Sequence, residues 1–372
     1  MLASLTLSRA TKIDRRSASL RKLKAATLPV VANQKEHWEK MSLSIDSKRQ
    51  CIVLLCDEGY LFPSLVCAKQ AREHAPPSAE VVVFLETDRL TPERQSLFEA
   101  VSGAAVRVIP TWLTDLLDRS VPKDFFQTHV NRAALFRLFV ARLLEDSYER
   151  IVYLDGDIQV RRSLDELLTM PLPEGTVGVV PDWVALHSVD GMPHVEANRA
   201  YMAGLDLLPE HWSSYFNSGV MMASPGTWND IGPKALAFLV ARPGSCRLHD
   251  QSAINHVCRG RTTNLSLRWN FLRHFMALSA YSAIDPAIVH FVGKLKPWDG
   301  VFAPWGRAEF EPYVAMASAL RGADVTWRRQ SPLRRAAYHV KPFVRRDDYA
   351  DVPYREAIDS SIRKHSGVPK GL

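Results

Sequence analysis

Arg150-Ile151-Val152-Tyr153-Leu154-Asp155-Gly156-Asp157 runs a block of strand-forming residues straight into two aspartates separated by one small residue. Alternate side chains of an extended chain point to the same side, so Asp155 and Asp157 project together. Two carboxylates converging at the mouth of a buried strand repel each other unless a cation sits between them. A divalent ion held by one or two carboxylates, with its other positions left to phosphate oxygens and water, is the usual arrangement in nucleotide-using enzymes. Asp-Gly is also a hairpin dipeptide, so the motif alone reads equally well as a chain reversal. Its neighbours separate the two readings.

Upstream, short apolar runs alternate with longer helical ones. Cys51–Leu55, Val81–Leu85, Val106–Ile109 and Ile151–Leu154 read as buried strands, with a helix over residues 64–73. Thr91 caps a second helix that has Pro92 at its first position. A long helix is predicted over 131–145, and Ser163 to Glu166 has the spacing of a capping box. Val177–Val180, Gly219–Met222 and Ile288–Val292 supply further strands. Such alternation predicts an α/β fold with a mixed, mostly parallel central sheet and helices on both faces. Ligands bind such sheets at the carboxyl ends of the strands, where Asp57 and Asp155 both sit.

The chain has 372 residues, 47% of them hydrophobic and 23% charged, enough for a sizeable core. No run is long and apolar enough to cross a bilayer. Its five cysteines follow no framework spacing and read as buried small hydrophobes in a reducing compartment. The net charge of +7 is concentrated at the two ends, away from the aspartate pair. Residues 1–46 are basic and acid-poor and read as a disordered arm outside the fold, although a transit peptide has a similar composition. Residues 47–320 then form the main domain and 321–372 a basic extension. Within that extension Trp327, Leu333, Tyr338, Phe343 and Val344 are interleaved with arginines, as in segments lying on anionic membrane surfaces. A basic surface helix packed on the main domain has the same pattern.

The second informative segment is His290-Phe291-Val292-Gly293-Lys294-Leu295-Lys296-Pro297-Trp298. An imidazole joined to Asp155 and Asp157 makes a mixed N/O donor set, which suits Mn²⁺ better than Ca²⁺. Gly293 permits close backbone approach to a ligand, and Lys296 can neutralise a diphosphate as a point charge. Trp298 can close over what is bound.

Four pieces in this order resemble the family-8 glycosyltransferases, the group that includes glycogenin and the bacterial lipopolysaccharide α-galactosyltransferases. They are Leu154 to Asp157, Tyr215-Phe216-Asn217-Ser218-Gly219-Val220, His249-Asp250-Gln251, and His290 to Trp298. The resemblance covers about residues 50–320 and implies a GT-A type fold for nucleotide-diphosphosugar transfer. It also implies a UDP-galactose or UDP-glucose donor, Mn²⁺ (Mg²⁺ as the alternative) and transfer with retention at the anomeric carbon. Asp155, Asp157 and His290 would hold the metal, with Gly156 between the aspartates on the donor. Asp57 and Tyr60 would contact the uracil end, and Arg137 would help hold the donor sugar. Asn217, Asp250 and Gln251 would line the reaction centre, Asp182 would contact donor or acceptor, and Gly293 and Lys296 would grip the diphosphate. The acceptor implied is a saccharide, lipopolysaccharide or another glycolipid or polysaccharide, which places the enzyme in the cytoplasm or at the cytoplasmic face of the membrane.

Three other classes remain open on the sequence. A nucleotidyltransferase or phosphotransferase would use Asp155 and Asp157 but has no need of His290 with Lys296. A zinc module could be drawn from Cys246, His249, His256 and Cys258, although the spacing is not that of a standard finger. A nucleic-acid binder would suit the charge, but no nucleic-acid motif accompanies it.

Overall fold

The computed structural model describes residues 49–122, 125, 132–144, 148–192, 194–327, 329–337 and 352–366. The basic segment 1–46 and residues Tyr338, Phe343 and Val344 lie outside these. The strands are β1 (Arg49–Asp57), β2 (Glu80–Glu86), β3 (Ala105–Val108), β4 (Tyr148–Leu154), β5 (Ile158–Val160), β6 (Val177–Pro181), β7 (Phe216–Ala223), β8 (Thr262–Asn264), β9 (Phe271–Leu272) and β10 (Ile288–His290).

Seven of them form the main sheet, in the order β3-β2-β1-β4-β7-β6-β8. Pairings are parallel from β3 to β4, antiparallel on both sides of β7, and parallel again between β6 and β8. The sheet is thus mixed and mostly parallel, with β7 alone reversed among these strands. Strand β1 shows why the centre reads as one apolar run. Ile52, Leu54 and Cys56 enter one core while Cys51, Val53 and Leu55 enter the core on the opposite face. The helix Glu58–His74 covers the first face, and Thr111–Ser120, Pro225–Ala241 and His249–Cys258 cover the second. A smaller sheet, β5-β10-β9, joins the first core and brings His290, at the end of β10, beside the residues that follow β4.

Three local expectations are corrected. The long helix over 131–145 is a short α-helix, Arg132–Leu135, followed by a 3₁₀ segment, Phe136–Leu143, broken at Phe139 (φ −121°, ψ 17°). Its apolar face fits either geometry, and burial of Phe136, Leu138, Phe139 and Val140 sets the outcome. Ser163 forms no capping box; its hydroxyl accepts from the Asp165 amide (3.1 Å), and the helix Asp165–Thr169 has Leu164 at its N-cap. Trp327 does not face outward; its ring stacks on Phe62 at 3.9 Å. Thr91 caps its helix as expected, accepting from the Arg94 amide at 3.3 Å. All five cysteines are free and buried. The C-terminal helix Val352–Ser366 also reaches the core, burying Ile358 and Ile362 completely.

Candidate active site

The carboxyl ends of β1 and β4 meet in a cleft of about 230 Å³, lined by Asp57, Tyr60, Arg137, Tyr153, Asp155 and Asp157 among others. Asp155 follows β4 directly, and the turn through Gly156 carries Asp157 to the start of β5. His290 closes the third side. The ligand atoms of Asp155, Asp157 and His290 all lie within 4.8 Å of one another, and among the described residues no other cluster of this kind occurs. His290 Nε2 is 3.1 Å from Asp157 Oδ1 and 3.7 Å from Asp155 Oδ2. Two carboxylates and one imidazole converge, a donor set that fits a divalent ion of the Mn²⁺ type.

The approach of these groups requires Gly219. A Cβ there would fall 2.2 Å from His290 Cε1 and 2.9 Å from Asp155 Oδ2. Any side chain at 219 would push into the ion site.

Cations hold the acids in place. The Lys296 ammonium bonds Asp157 Oδ2 and donates to the Phe291 carbonyl at 2.8 Å. Burial alone would raise the Asp157 pKa, but Lys296 and His290 hold it well below the usual carboxylate range. Arg137, itself buried, lies 3.0 Å from Asp155 Oδ1 and 3.2 Å from Asp250 Oδ2, and donates to the Ser218 carbonyl at 3.1 Å. Burial raises the Asp250 pKa, with the Arg137 charge opposing.

On the β7 side, Asn217 Nδ2 donates to Asp182 Oδ2 (3.1 Å) and Gln251 Oε1 (3.2 Å). Asp182 caps the short helix Trp183–Leu186, accepting from the Val184 amide at 2.9 Å, and burial raises its pKa. These residues face a second cavity of about 430 Å³, whose lining includes Asp182, Trp183, Asn217, Arg247, Gln251 and His274. Arg137, which lines the first cavity, bonds Ser218, whose amide donates to Gln251 of the second cavity at 3.2 Å.

The structure brings together nearly all of the residues singled out from the sequence. Asp57 caps the helix Glu58–His74, accepting from the Tyr60 amide at 2.9 Å, and Tyr60 meets the edge of Trp298 at 5.8 Å. Gly156 lines the first cleft, and Gly293 takes a left-handed φ of 91°, a conformation suited to glycine. Trp298 departs from expectation: it is buried between Tyr60 and Tyr313 and supports the cleft wall rather than covering a ligand. The zinc grouping also fails. Cys246 and Cys258 are buried thiols, and His256 Nδ1 pairs with the Leu205 carbonyl at 2.8 Å.

Sequence reading missed Tyr153, whose hydroxyl donates to Asp155 Oδ1 at 2.6 Å. The signal was present, because Tyr153 and Asp155 are two residues apart and share a face of the strand. It also missed Asn270, which contacts both Asn217 and His290 from a 3₁₀ end that has no sequence signature.

The model of glycosyl transferase family 8 matches residues 51–301. Lipopolysaccharide 1,3-galactosyltransferase of Salmonella typhimurium is 25% identical over 255 residues, covering 66% of this chain and 71% of that protein. Lipopolysaccharide 1,2-glucosyltransferase of Escherichia coli is 28% identical over 182 residues, covering 45% of this chain and only 49% of that protein. The crystal structure of the galactosyltransferase LgtC with donor and acceptor sugar analogues superposes with a TM-score of 0.55 at 20% identity, over 73% of this chain and 97% of that one. The α/β architecture is therefore the expected GT-A type. A family match over two thirds of the chain, on a fold that gathers the expected acids and imidazole at one cleft, leads to a single assignment: this chain belongs to glycosyltransferase family 8 and is a glycosyltransferase.

Proposed function

We propose that the enzyme moves a galactose or glucose from its UDP donor to a saccharide acceptor, with retention of anomeric configuration and dependence on Mn²⁺. The observation that carries this reading is the convergence of Asp155, Asp157 and His290, with both aspartates lining the first cavity. The first cavity takes the donor, with Asp57 and Tyr60 at the uracil end and Gly156 and Gly293 against the diphosphate. The second takes the acceptor, a glycolipid or polysaccharide such as lipopolysaccharide, against Trp183 and His274. Among the described residues no helix is long and apolar enough to cross a membrane. The exposed Leu333 and neighbouring Arg329, Arg334 and Arg335 supply a surface for an anionic bilayer.

A divalent ion bound by Asp155, Asp157 and His290 supplies Lewis-acid charge to the departing diphosphate. Lys296 adds a fixed ammonium beside the same oxygens. Arg137 pairs with Asp155 and Asp250 and orients both, so carboxyl oxygens face the sugar as it gains oxocarbenium character. Asp250 is committed to Arg137, and Gln251 Oε1 accepts from both Asn217 Nδ2 and the Ser218 amide at 3.2 Å. Neither group is a free nucleophile. These commitments support departure and attack on one face of the sugar, without a covalent enzyme intermediate.

Hydrolysis of a panel of UDP-sugars, with and without Mn²⁺ and with no acceptor, tests the proposal. Sugar release from one UDP-hexose, lost when Mn²⁺ is chelated, is the expected result. Release of UMP and sugar 1-phosphate, from cleavage of the phosphoanhydride, would instead identify nucleotidyl transfer.

A further inference from the structure

We infer that Asn270 is a positioning residue that fixes the hydrogen of His290 on Nδ1 and so keeps Nε2 open to the ion. This rests on the reading of Asp155, Asp157 and His290 as an ion site.

The argument is one of donor and acceptor alternation. Peptide N–H groups can only donate. The Gly219 amide donates to Asn217 Oδ1 at 3.0 Å, which fixes that atom of the side-chain amide as oxygen. The Ser218 amide independently fixes Gln251 Oε1 as an acceptor, so the Asn217 atom 3.2 Å from it must be nitrogen. Both anchors give Asn217 the same orientation. Asn270 lies 3.0 Å from Asn217 Oδ1 and must present its NH₂ there. Its oxygen then faces His290 Nδ1 at 3.1 Å, and a carbonyl oxygen can only accept. Nδ1 carries the hydrogen. With that hydrogen placed, the lone pair of the neutral ring is on Nε2, the nitrogen that faces Asp155 and Asp157.

The alternative places the hydrogen on Nε2, donating to Asp157 Oδ1 at 3.1 Å, and occupies the coordinating nitrogen. It would require Asn270 to turn its oxygen onto Asn217 Oδ1, and Asn217 in turn to face a peptide N–H with its own NH₂. Asn270 is fully buried, so no solvent relieves such a clash. Partners that orient a ligating histidine in this way change metal affinity by about 10–100-fold.

Long-range ¹H–¹⁵N spectra of the full chain labelled at histidine, free of ions and at alkaline pH, read the tautomer directly. The expected spectrum has a protonated Nδ1 on His290. A neutral ring protonated at Nε2 overturns the inference without any variant. Asn270→Leu, which keeps the volume and removes both polar atoms, should move the hydrogen to Nε2 and lower the affinity for Mn²⁺ about 10–100-fold by calorimetric titration with MnCl₂. Asp155→Ala is the control that separates the two readings. Unchanged Mn²⁺ binding there defeats the ion site itself. Binding lost in Asp155→Ala but unchanged in Asn270→Leu defeats the role of Asn270 alone.

Discussion

The two cavities are walled by different material. The first rests on β1 and β4, parallel neighbours in register from Cys51–Ile151 to Val53–Tyr153 and buried on both faces. The second is lined in part by short pieces: Leu272 of the two-residue β9, His274 of the 3₁₀ turn Arg273–Phe275, and Trp183 and Val184 of the helix Trp183–Leu186. What stiffens this second wall comes from the far end of the chain. Asp359 of the helix Val352–Ser366 accepts from the Ala280 amide at 2.7 Å and the Ser279 hydroxyl at 3.0 Å, and Arg355 donates to the Ala277 carbonyl at 2.7 Å. A regular sheet frames the first cavity, while a docked helix braces the turns beside the second, proposed for the acceptor.

The largest effect should come from cutting the donor side. Asp155→Ala should lower transfer by about 10³-fold and abolish the heat of Mn²⁺ binding. Asp157→Ala should do the same and also destabilise the fold by about 3–5 kcal/mol, because Lys296 is left as a buried cation without its carboxylate. Calorimetry and denaturant titration of both variants check this. Mn²⁺ binding that survives in Asp155→Ala, or equal stability of the two, would show that the acids are not divided in this way.

The acceptor side should fail through its clamp. Ile358→Ala removes a fully buried side chain and should cost about 2–5 kcal/mol. Its kinetic signature should be selective, with transfer to an acceptor falling more than UDP-sugar hydrolysis in its absence. Equal losses in both reactions would mean that the helix supports the whole body rather than one wall.

This division also explains what could be read from sequence. The strands around Asp57 and Asp155 announce themselves by unbroken apolar runs, and a period of two places both carboxylates on one side. His290 was found because it ends such a run. Around the second cavity only Asp182, Asn217 and Gln251 were named, through the family resemblance, while His274 and Arg247 come from turns whose position is set by tertiary contacts. Trp298 and Trp327 were misread for a related reason. An aromatic among lysines or arginines has the same local sequence whether it faces solvent or fills a core, and only the partners, Tyr60 and Tyr313 for one and Phe62 for the other, distinguish them.

Lys296 tests the chemistry within the donor side. If its ammonium stabilises the leaving diphosphate, Lys296→Ala should raise the barrier by about 2–4 kcal/mol, expressed in kcat more than in KM. A raised KM with unchanged kcat would reduce it to a binding residue.

The smallest effect separates the two walls by pH. Asp157 is held so far below the usual carboxylate range that it stays charged down to strongly acid conditions. On the other wall, His274 has a buried Nδ1 with no hydrogen-bond partner among the described residues, and burial, helped by Arg273, pushes its pKa from 6.5 down to about 4. The unfolded chain therefore binds this proton more readily than the folded one, and stability must fall as pH drops below 6.5, with the slope ending below about pH 4. At pH 6 the loss should be only about 1 kcal/mol, and it should vanish above neutrality. His274→Gln removes the titrating group, so its Tm should depend less steeply on pH across this window than that of the parent. Parallel Tm curves for the two proteins would mean that His274 is not held neutral by its burial, and the contrast between the walls would then rest on packing alone.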